Sequence, residues 1–458
     1  MTSNNLFQDN VDFNSPNKNI FPITTNLSED GEIFVGGCRL SDLANRFGTP
    51  LYVIDENTIR NSCKAYTEAL NEFYPGKSLA LYASKANSSI AISNIISSEG
   101  LGLDAVSEGE LLTALNGGIN PENIVFHGNN KSEQELFFAY KNKVTIVIDN
   151  QNDIDKLEKI IDIDKCPAKL MIRFTPGIEC HTHEYIRTGH LDSKFGFDPD
   201  ELENVFFRLS NCSWASLTGL HAHIGSQIFE LEPHRDLVSV MLDTYELAAK
   251  FGHCINDLNF GGGLGVKYIH TDDPPSIADW IKTISTNLVN ECKKRNIALP
   301  RLLCEPGRSL IASSGLTLYE IGSQKKITGL RNYFSVDGGM SDNPRPITYQ
   351  SKYYASLVDR AYDKPTKTYT IAGKHCESGD ILIKDFELPE VKTGEFLAIF
   401  TTGAYNISMS SNYNRIPRPA AIIVNNGQSD LIQRRETPED LLRLDVIPDR
   451  FIELSSVN

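Results

Sequence analysis

Eight short apolar runs, each followed by a stretch of helical spacing, constrain this 458-residue chain more than any other feature. The runs are LALYAS (79–84), GLGLDAV (100–106), NIVFHG (123–128), VTIVIDN (144–150), AKLMIRF (168–174), LTGLHAHIG (217–225), DLNFGG (257–262) and RLLCEPG (301–307). Between them, segments such as QNDIDKLEKIIDI (151–163) and HRDLVSVMLDTYELAAKFG (234–252) repeat apolar residues at the helical period. SEGELLTALNGG (107–118) opens on a serine cap with a glutamate at capping-box spacing and closes in glycine. Helical crossovers lay consecutive strands parallel, and eight such strands can close into a (β/α)8, TIM-like barrel. A doubly wound open sheet is the alternative arrangement of the same elements.

The alternation stops near residue 312. Beyond it, runs such as TKTYTIAGKHC, GDILIKDFEL, EFLAIFT and AAIIVNN are broken by Gly, Pro and Asn, as in an antiparallel all-β domain. EIFVGGCRL and PLYVIDE also read as strands. They precede the barrel, so they are expected to join the C-terminal sheet and make that domain discontinuous. The expected division is a polar arm over 1–30, loose up to about Asn26, N-terminal strands over 31–56, a barrel over 57–311 and a C-terminal β domain over 312–458.

Composition narrows the function. Lys plus Arg number 44 against 59 Asp plus Glu, a formal net charge of −15. That balance disfavours nucleic acid as a partner, which needs dense positive charge. The Asn-rich N-terminus lacks the basic start and apolar core of a signal peptide, and no apolar run is long enough to span a bilayer. The nine cysteines include no CxxC pair, so neither a zinc ribbon nor a dithiol motif is indicated. They read as reduced thiols of a cytoplasmic protein.

In a barrel, chemistry belongs at the C-terminal strand ends. Lys85 follows the first run, and Asp104 and Ser107 lie at the second. His127 ends the third, Arg173 the fifth, and the sixth carries His221 and His223, then Ser226. GGGLG (261–265) follows the seventh and EPGR (305–308) ends the eighth. The glycines fail the dinucleotide fingerprint, since the sixth residue from Gly261 is Val266. They suit a phosphate, because backbone without Cβ atoms approaches an anion closely. His221 and His223 point to one side of a strand and could share a metal, but no further ligands stand out; one structural histidine and one stacked on a ring is the better reading. Glu305 alone reads as an ion pair with Arg308, or as a carboxylate facing a protonated ring nitrogen. Lys85 alone reads as a surface lysine after a strand. Desolvated at an apolar strand end, it can instead be neutral and condense with an aldehyde. Lysine for an aldehyde, glycines for a phosphate, a carboxylate for a ring nitrogen and a histidine for a ring face together describe pyridoxal 5'-phosphate.

With these residues in hand, the chain resembles the alanine-racemase-like, fold type III pyridoxal-phosphate decarboxylases. The markers are YASKAN (82–87), GLDAVSEGEL (102–111), HTHEYIRTGHLDSKFGF (181–197), HAHIGSQ (221–227), NFGGGLGVKY (259–268), EPGRSL (305–310), VDGGMSDNPRPITY (336–349), CESGD (376–380) and TGAYNISMSSNYNRIPRPA (402–420). The resemblance implies that Lys85 carries the cofactor and that Asp104, His223, Ser226, Gly261, Gly262, Gly263, Glu305, Gly307, Arg308 and Tyr405 surround it. It implies that Arg345 and Tyr349, with Arg308 and Tyr405, hold the substrate. Cys376 is implied as the proton donor and Glu377 as the partner of the far amine, both reaching a neighbouring site across a homodimer interface. The implied reaction is decarboxylation of meso-2,6-diaminopimelate to L-lysine and carbon dioxide, the last step of lysine biosynthesis. A related fold III enzyme acting on another amino acid or a carboxylated polyamine is the nearest alternative. Arg345 argues against most of these, because their basic substrates lack a distal carboxylate for its planar fork. A non-catalytic regulator and a phosphosugar-binding barrel are more distant readings.

Overall fold

All eight apolar runs become strands, and the strands close on themselves. In the computed structural model, which describes residues 11–161, 166–178 and 193–451, the barrel strands are Ser78–Ala83, Gly102–Ala105, Ile124–Phe126, Thr145–Ile148, Ala168–Arg173, Ala215–His221, Asp257–Asn259 and Arg301–Cys304. Every neighbouring pair is parallel. The ring closes where Leu303 pairs with Leu79, so the open-sheet alternative fails. Both faces of these strands are buried, which is why they read as continuous apolar runs rather than alternating ones. Inside, Leu81, Val125, Val147, Met171 and Leu303 form their own apolar cluster. Outside, Tyr82, Leu103, Ile146 and Leu258 face the helices.

Local signals set most helix starts. Asp55 ends one strand and caps the helix Glu56–Phe73, accepting from the Thr58 amide at 3.0 Å. Ser107 caps Glu108–Asn116 through the Glu110 amide at 3.2 Å. The expected reciprocal bond is displaced by one residue, because the Glu110 carboxylate accepts from Val106 N–H at 2.8 Å instead.

The second domain is a nine-stranded sheet ordered Ile381–Leu388, Lys367–Ala372, Arg331–Val336, Gly315–Ile327, Leu51–Asp55, Ala420–Asn425 and Gln428–Gln433. Phe396–Phe400 also pairs with Gly315–Ile327, and Ala355–Leu357 pairs with Phe396–Phe400. Two pairings are parallel rather than antiparallel: Asn332–Ser335 with Tyr369–Ala372, and Leu51–Asp55 with Ala420–Val424. Leu51–Asp55 thus lies in the middle of the C-terminal sheet. EIFVGGCRL does not join it: Ile33–Val35 and Cys38–Arg39 form a separate three-stranded sheet with Asn26–Leu27.

The N-terminal segment is not loose from residue 12 onward. Fully buried Asn17 donates to the carbonyls of Gly265 and Pro275, at 3.1 and 2.9 Å. Ser15 accepts from the Ile277 amide at 2.7 Å, and Thr401 donates to the Ile20 carbonyl at 2.8 Å. Short polar side chains that would be solvated in a free arm here satisfy loop backbone groups that water does not reach.

Candidate active site

The buried carboxylate of Glu305, just past the eighth barrel strand, organises the barrel mouth. It accepts from His127 Nε2 at 2.8 Å, His221 Nε2 at 3.1 Å and Asn259 Nδ2 at 2.6 Å. Three donors occupy three of about four lone-pair positions, leaving one acceptor position on the carboxylate. Burial pushes its pKa up, but His127 and His221 outweigh this and hold it well below the usual carboxylate range. Burial also lowers the His221 pKa to about 4, although Glu305 opposes the shift. His221 is therefore neutral and donates through Nε2. Asp104, buried in the second strand, lies 3.7 Å from His127 Nε2. Burial raises its pKa, and His127 resists.

Arg308 is not the ion-pair partner of Glu305; among the described residues the basic groups on that carboxylate are His127 and His221. Nor do His221 and His223 converge on a shared ion, since His221 turns to Glu305 and His223 to the glycine loop. His127, His221 and Glu305 do bring three ligand-type atoms within 4.8 Å of one another. Here they are joined by hydrogen bonds rather than held apart around a cation.

The glycine loop lies between His223 and Glu305. Gly262 N–H donates to His223 Nδ1 at 3.3 Å, Gly261 N–H to Asn259 Oδ1 at 3.0 Å, and Glu305 N–H to the Gly261 carbonyl at 2.7 Å. Gly261 and Gly263 have φ of +63° and +119°, which side-chain-bearing residues rarely adopt. A Cβ on Gly262 would lie 2.2 Å from the Glu305 carbonyl oxygen. Burial drives the His223 pKa well down, and nearby Lys85 and Arg173 push it the same way. Lys85 occupies the turn Ser84–Ala86 after the first strand and is exposed. Gly307 packs against that turn: a Cβ there would sit 2.9 Å from Ala83 Cβ.

Two buried guanidiniums complete the barrel-side site. Arg308 donates to Ser226 Oγ at 2.9 Å and to Tyr268 Oη at 2.8 Å. Arg345, which begins the short helix Arg345–Tyr349, donates to Tyr268 Oη and Tyr353 Oη, both at 2.8 Å. No carboxylate pairs with either arginine among the described residues. Tyr349 is half-buried at the other end of that helix. Tyr405 adopts φ +74°, its N–H donates to the Ala86 carbonyl at 2.6 Å, and its ring lies 4.8 Å from the Arg308 guanidinium carbon. The β domain thereby touches the lysine turn directly.

Cys376 and Glu377 are not brought to this cluster within the chain. Both are exposed, and their hydrogen-bond partners among the described residues lie in the β domain. Buried Asp380 braces their loop by accepting from Met340 N–H, His375 N–H and His375 Nδ1 at 2.7, 2.9 and 2.7 Å. Residues 181–192 of HTHEYIRTGHLDSKFGF lie outside the described residues. The sequence reading assigned no role to Asn259, Tyr268 or Tyr353. Asn259 and Tyr268 flank the glycines in NFGGGLGVKY, so the signal was present but read only as a marker.

The cradle without Cβ atoms, the anionic carboxylate with an acceptor position to spare, and two cations lacking an acid fit pyridoxal phosphate. A family model described as "Pyridoxal-dependent decarboxylase, pyridoxal binding domain" matches residues 56–312. A diaminopimelate decarboxylase of Synechocystis is 49% identical over 96% of this chain and 95% of its own. One from Bacillus subtilis is 43% identical over 92% and 97%. The crystal structure of diaminopimelate decarboxylase from M. jannaschii in co-complex with L-lysine superposes with a TM-score of 0.87 at 31% identity, covering 93% of this chain and 98% of that one.

Proposed function

The chain belongs to the pyridoxal-dependent decarboxylases, and from its likeness to the diaminopimelate decarboxylases among them we propose the roles of its residues in converting meso-2,6-diaminopimelate to L-lysine and carbon dioxide. The observation that carries the substrate is the pair Arg308 and Arg345, buried without a carboxylate of their own among the described residues. Buried cations require a counter-charge, and a diacid with a far carboxylate supplies one. A basic substrate without a far carboxylate would leave Arg345 without that counter-charge.

Pyridoxal phosphate, when bound, supplies an electron-withdrawing ring that stabilises negative charge on the carbon losing carbon dioxide. Lys85 holds its aldehyde carbon. Glu305, kept anionic by His127 and His221, holds a proton on the ring nitrogen. His223, which burial drives toward its neutral form, would lie against the ring, and Asp104, 3.7 Å from His127 Nε2, would line the same pocket. Gly261, Gly262, Gly263, Gly307 and Ser226 would receive the phosphate, with Arg308 and Tyr405 between it and the substrate. Arg345 and Tyr349, with Arg308 and Tyr405, would hold the substrate and its far carboxylate.

Cys376 of the partner subunit delivers the proton that replaces carbon dioxide, and Glu377 of the partner subunit binds the far amine. The exposure of both residues supports this arrangement, and a C2 dimer would supply each site reciprocally. The barrel, 57–311, then carries the cofactor, and the β domain, built from 312–458 with the strand Leu51–Asp55, closes the neighbour's site. A cytoplasmic location accords with the free state of all eight described cysteines. No described helix is long and apolar enough to cross a membrane. The test is to incubate cofactor-loaded protein with meso-diaminopimelate and measure carbon dioxide and lysine together. Equimolar release supports the assignment; ornithine or arginine turned over as well would refute it.

A further inference from the structure

Tyr268 places one oxygen between two cations. Its hydroxyl accepts from Nη1 of Arg308 and Nη1 of Arg345, each at 2.8 Å. Those two bonds use both lone pairs of the phenol oxygen, and its own O–H has no acceptor among the described residues. The side chain is 6% exposed, so water does not readily supply an acceptor. A second orphan lies beside it: Arg308 Nε–H is buried with no partner among the described residues. Two guanidiniums held on a single neutral oxygen repel one another in a poorly screened interior unless an anion joins them. The donors are therefore arranged for an acceptor that the chain itself does not provide.

We propose that Tyr268 is a specificity-determining residue whose O–H donates to the far carboxylate of the substrate, alongside Arg345. This rests on the reading of Arg345 as the far-carboxylate clamp. The phenol discriminates among ligands: one bearing the carboxylate gains a donor, and one lacking it leaves a buried O–H unpaired. Burial raises the phenol's pKa, but the two guanidiniums outweigh it and bring it below the ordinary value. A more acidic O–H is a stronger donor to an anion. The ring makes separate contributions, meeting Tyr353 edge-on at 5.4 Å and lying 5.0 Å from the Arg345 guanidinium carbon. Tyr268→Phe keeps those ring contacts and removes the oxygen, and with it the acceptor that Arg308 and Arg345 share.

L-Lysine and cadaverine separate the effects, because both offer a primary amine and only lysine keeps the far carboxylate. Their binding to cofactor-loaded protein is followed through the cofactor's visible absorbance. Tyr268→Phe is expected to weaken lysine by about tenfold or more, the worth of one charge-assisted hydrogen bond, while cadaverine binds as to wild type. An unchanged lysine-to-cadaverine ratio overturns the proposal. So does equal weakening of both ligands, which would assign the hydroxyl to the cofactor. Arg345→Ala tests the underlying reading: if it leaves the ratio alone, the clamp itself is wrong, whereas collapse there without collapse in Tyr268→Phe sinks Tyr268 only. Should the phenylalanine variant not fold, 3-fluorotyrosine at 268 preserves the oxygen and acidifies it. Arg308, Arg345, Tyr353 and Tyr405 remain unchanged around it, so lysine binding should fail at lower pH than in wild type, because a phenolate repels carboxylate. A pH profile identical to wild type would count against the donor.

Discussion

Gly262→Ala tests whether the glycine loop and Glu305 form one rigid unit. The backbone of Gly262 lies outside the left-handed region, so alanine brings no dihedral strain and the perturbation is purely steric. Its Cβ would start 2.2 Å from the Glu305 carbonyl oxygen, and contacts under 3.0 Å are essentially never seen. One backbone must therefore retreat by roughly 1 Å, a displacement that typically costs about 1–3 kcal/mol in a packed interior. Retreat also strains three bonds: Glu305 N–H to Gly261 O at 2.7 Å, Gly261 N–H to Asn259 Oδ1 at 3.0 Å, and Gly262 N–H to His223 Nδ1 at 3.3 Å. At about 1 kcal/mol for a typical hydrogen bond, losing one or two brings the total to roughly 2–5 kcal/mol. If binding the cofactor requires the undistorted loop, its affinity falls about 30- to 5000-fold. Titration of apo-protein with pyridoxal phosphate, followed by absorbance, measures this directly. An alanine variant that binds the cofactor within twofold of wild type, at wild-type turnover, would refute the cradle.

Three further outcomes follow from particular residues. Lys85→Ala should lose both turnover and the cofactor's borohydride-reducible attachment to the chain, read by mass spectrometry. Inactive Lys85→Ala and Cys376→Ala proteins, allowed to exchange subunits, should recover about one quarter of wild-type sites if each site draws on two chains; exchange without recovery would place Cys376 elsewhere. His234 is buried against Trp280, its ring centroid 5.3 Å away, and burial lowers its pKa to about 3. The unfolded state takes up the proton near pH 6.5 and the folded state only near 3, so His234 contributes stability fully above about pH 6.5 and loses it progressively as pH falls toward 3. His234→Phe should therefore show a flatter urea-unfolding free energy between pH 7 and pH 4.5 than wild type.

The barrel was legible because its signal is local. A strand buried on both faces must be apolar throughout, and a helix laid over it must be apolar every third or fourth residue, so eight alternations appear in the chain before any contact is known. Lys85, the Gly261–Gly263 run and Glu305 were legible for a related reason: parallel strands deliver their C-terminal ends to one rim, so sequence position alone brings these residues together. Which polar group meets which was not legible. Glu305 could be read as pairing with Arg308, three residues on; the fold instead gives it His127 and His221, 178 and 84 positions away. Asn17 looked like part of a free arm because the carbonyls it serves, those of Gly265 and Pro275, lie 248 and 258 residues downstream. EIFVGGCRL and PLYVIDE had similar local patterns, yet only Leu51–Asp55 entered the large sheet, where it found a place between Gly315–Ile327 and Ala420–Asn425. Hydrophobic period is a property of neighbours in the chain. A hydrogen bond or a strand pairing depends on where loop closure puts the other partner, and no residue near Tyr268 announces that Arg308 and Arg345 will meet on its oxygen.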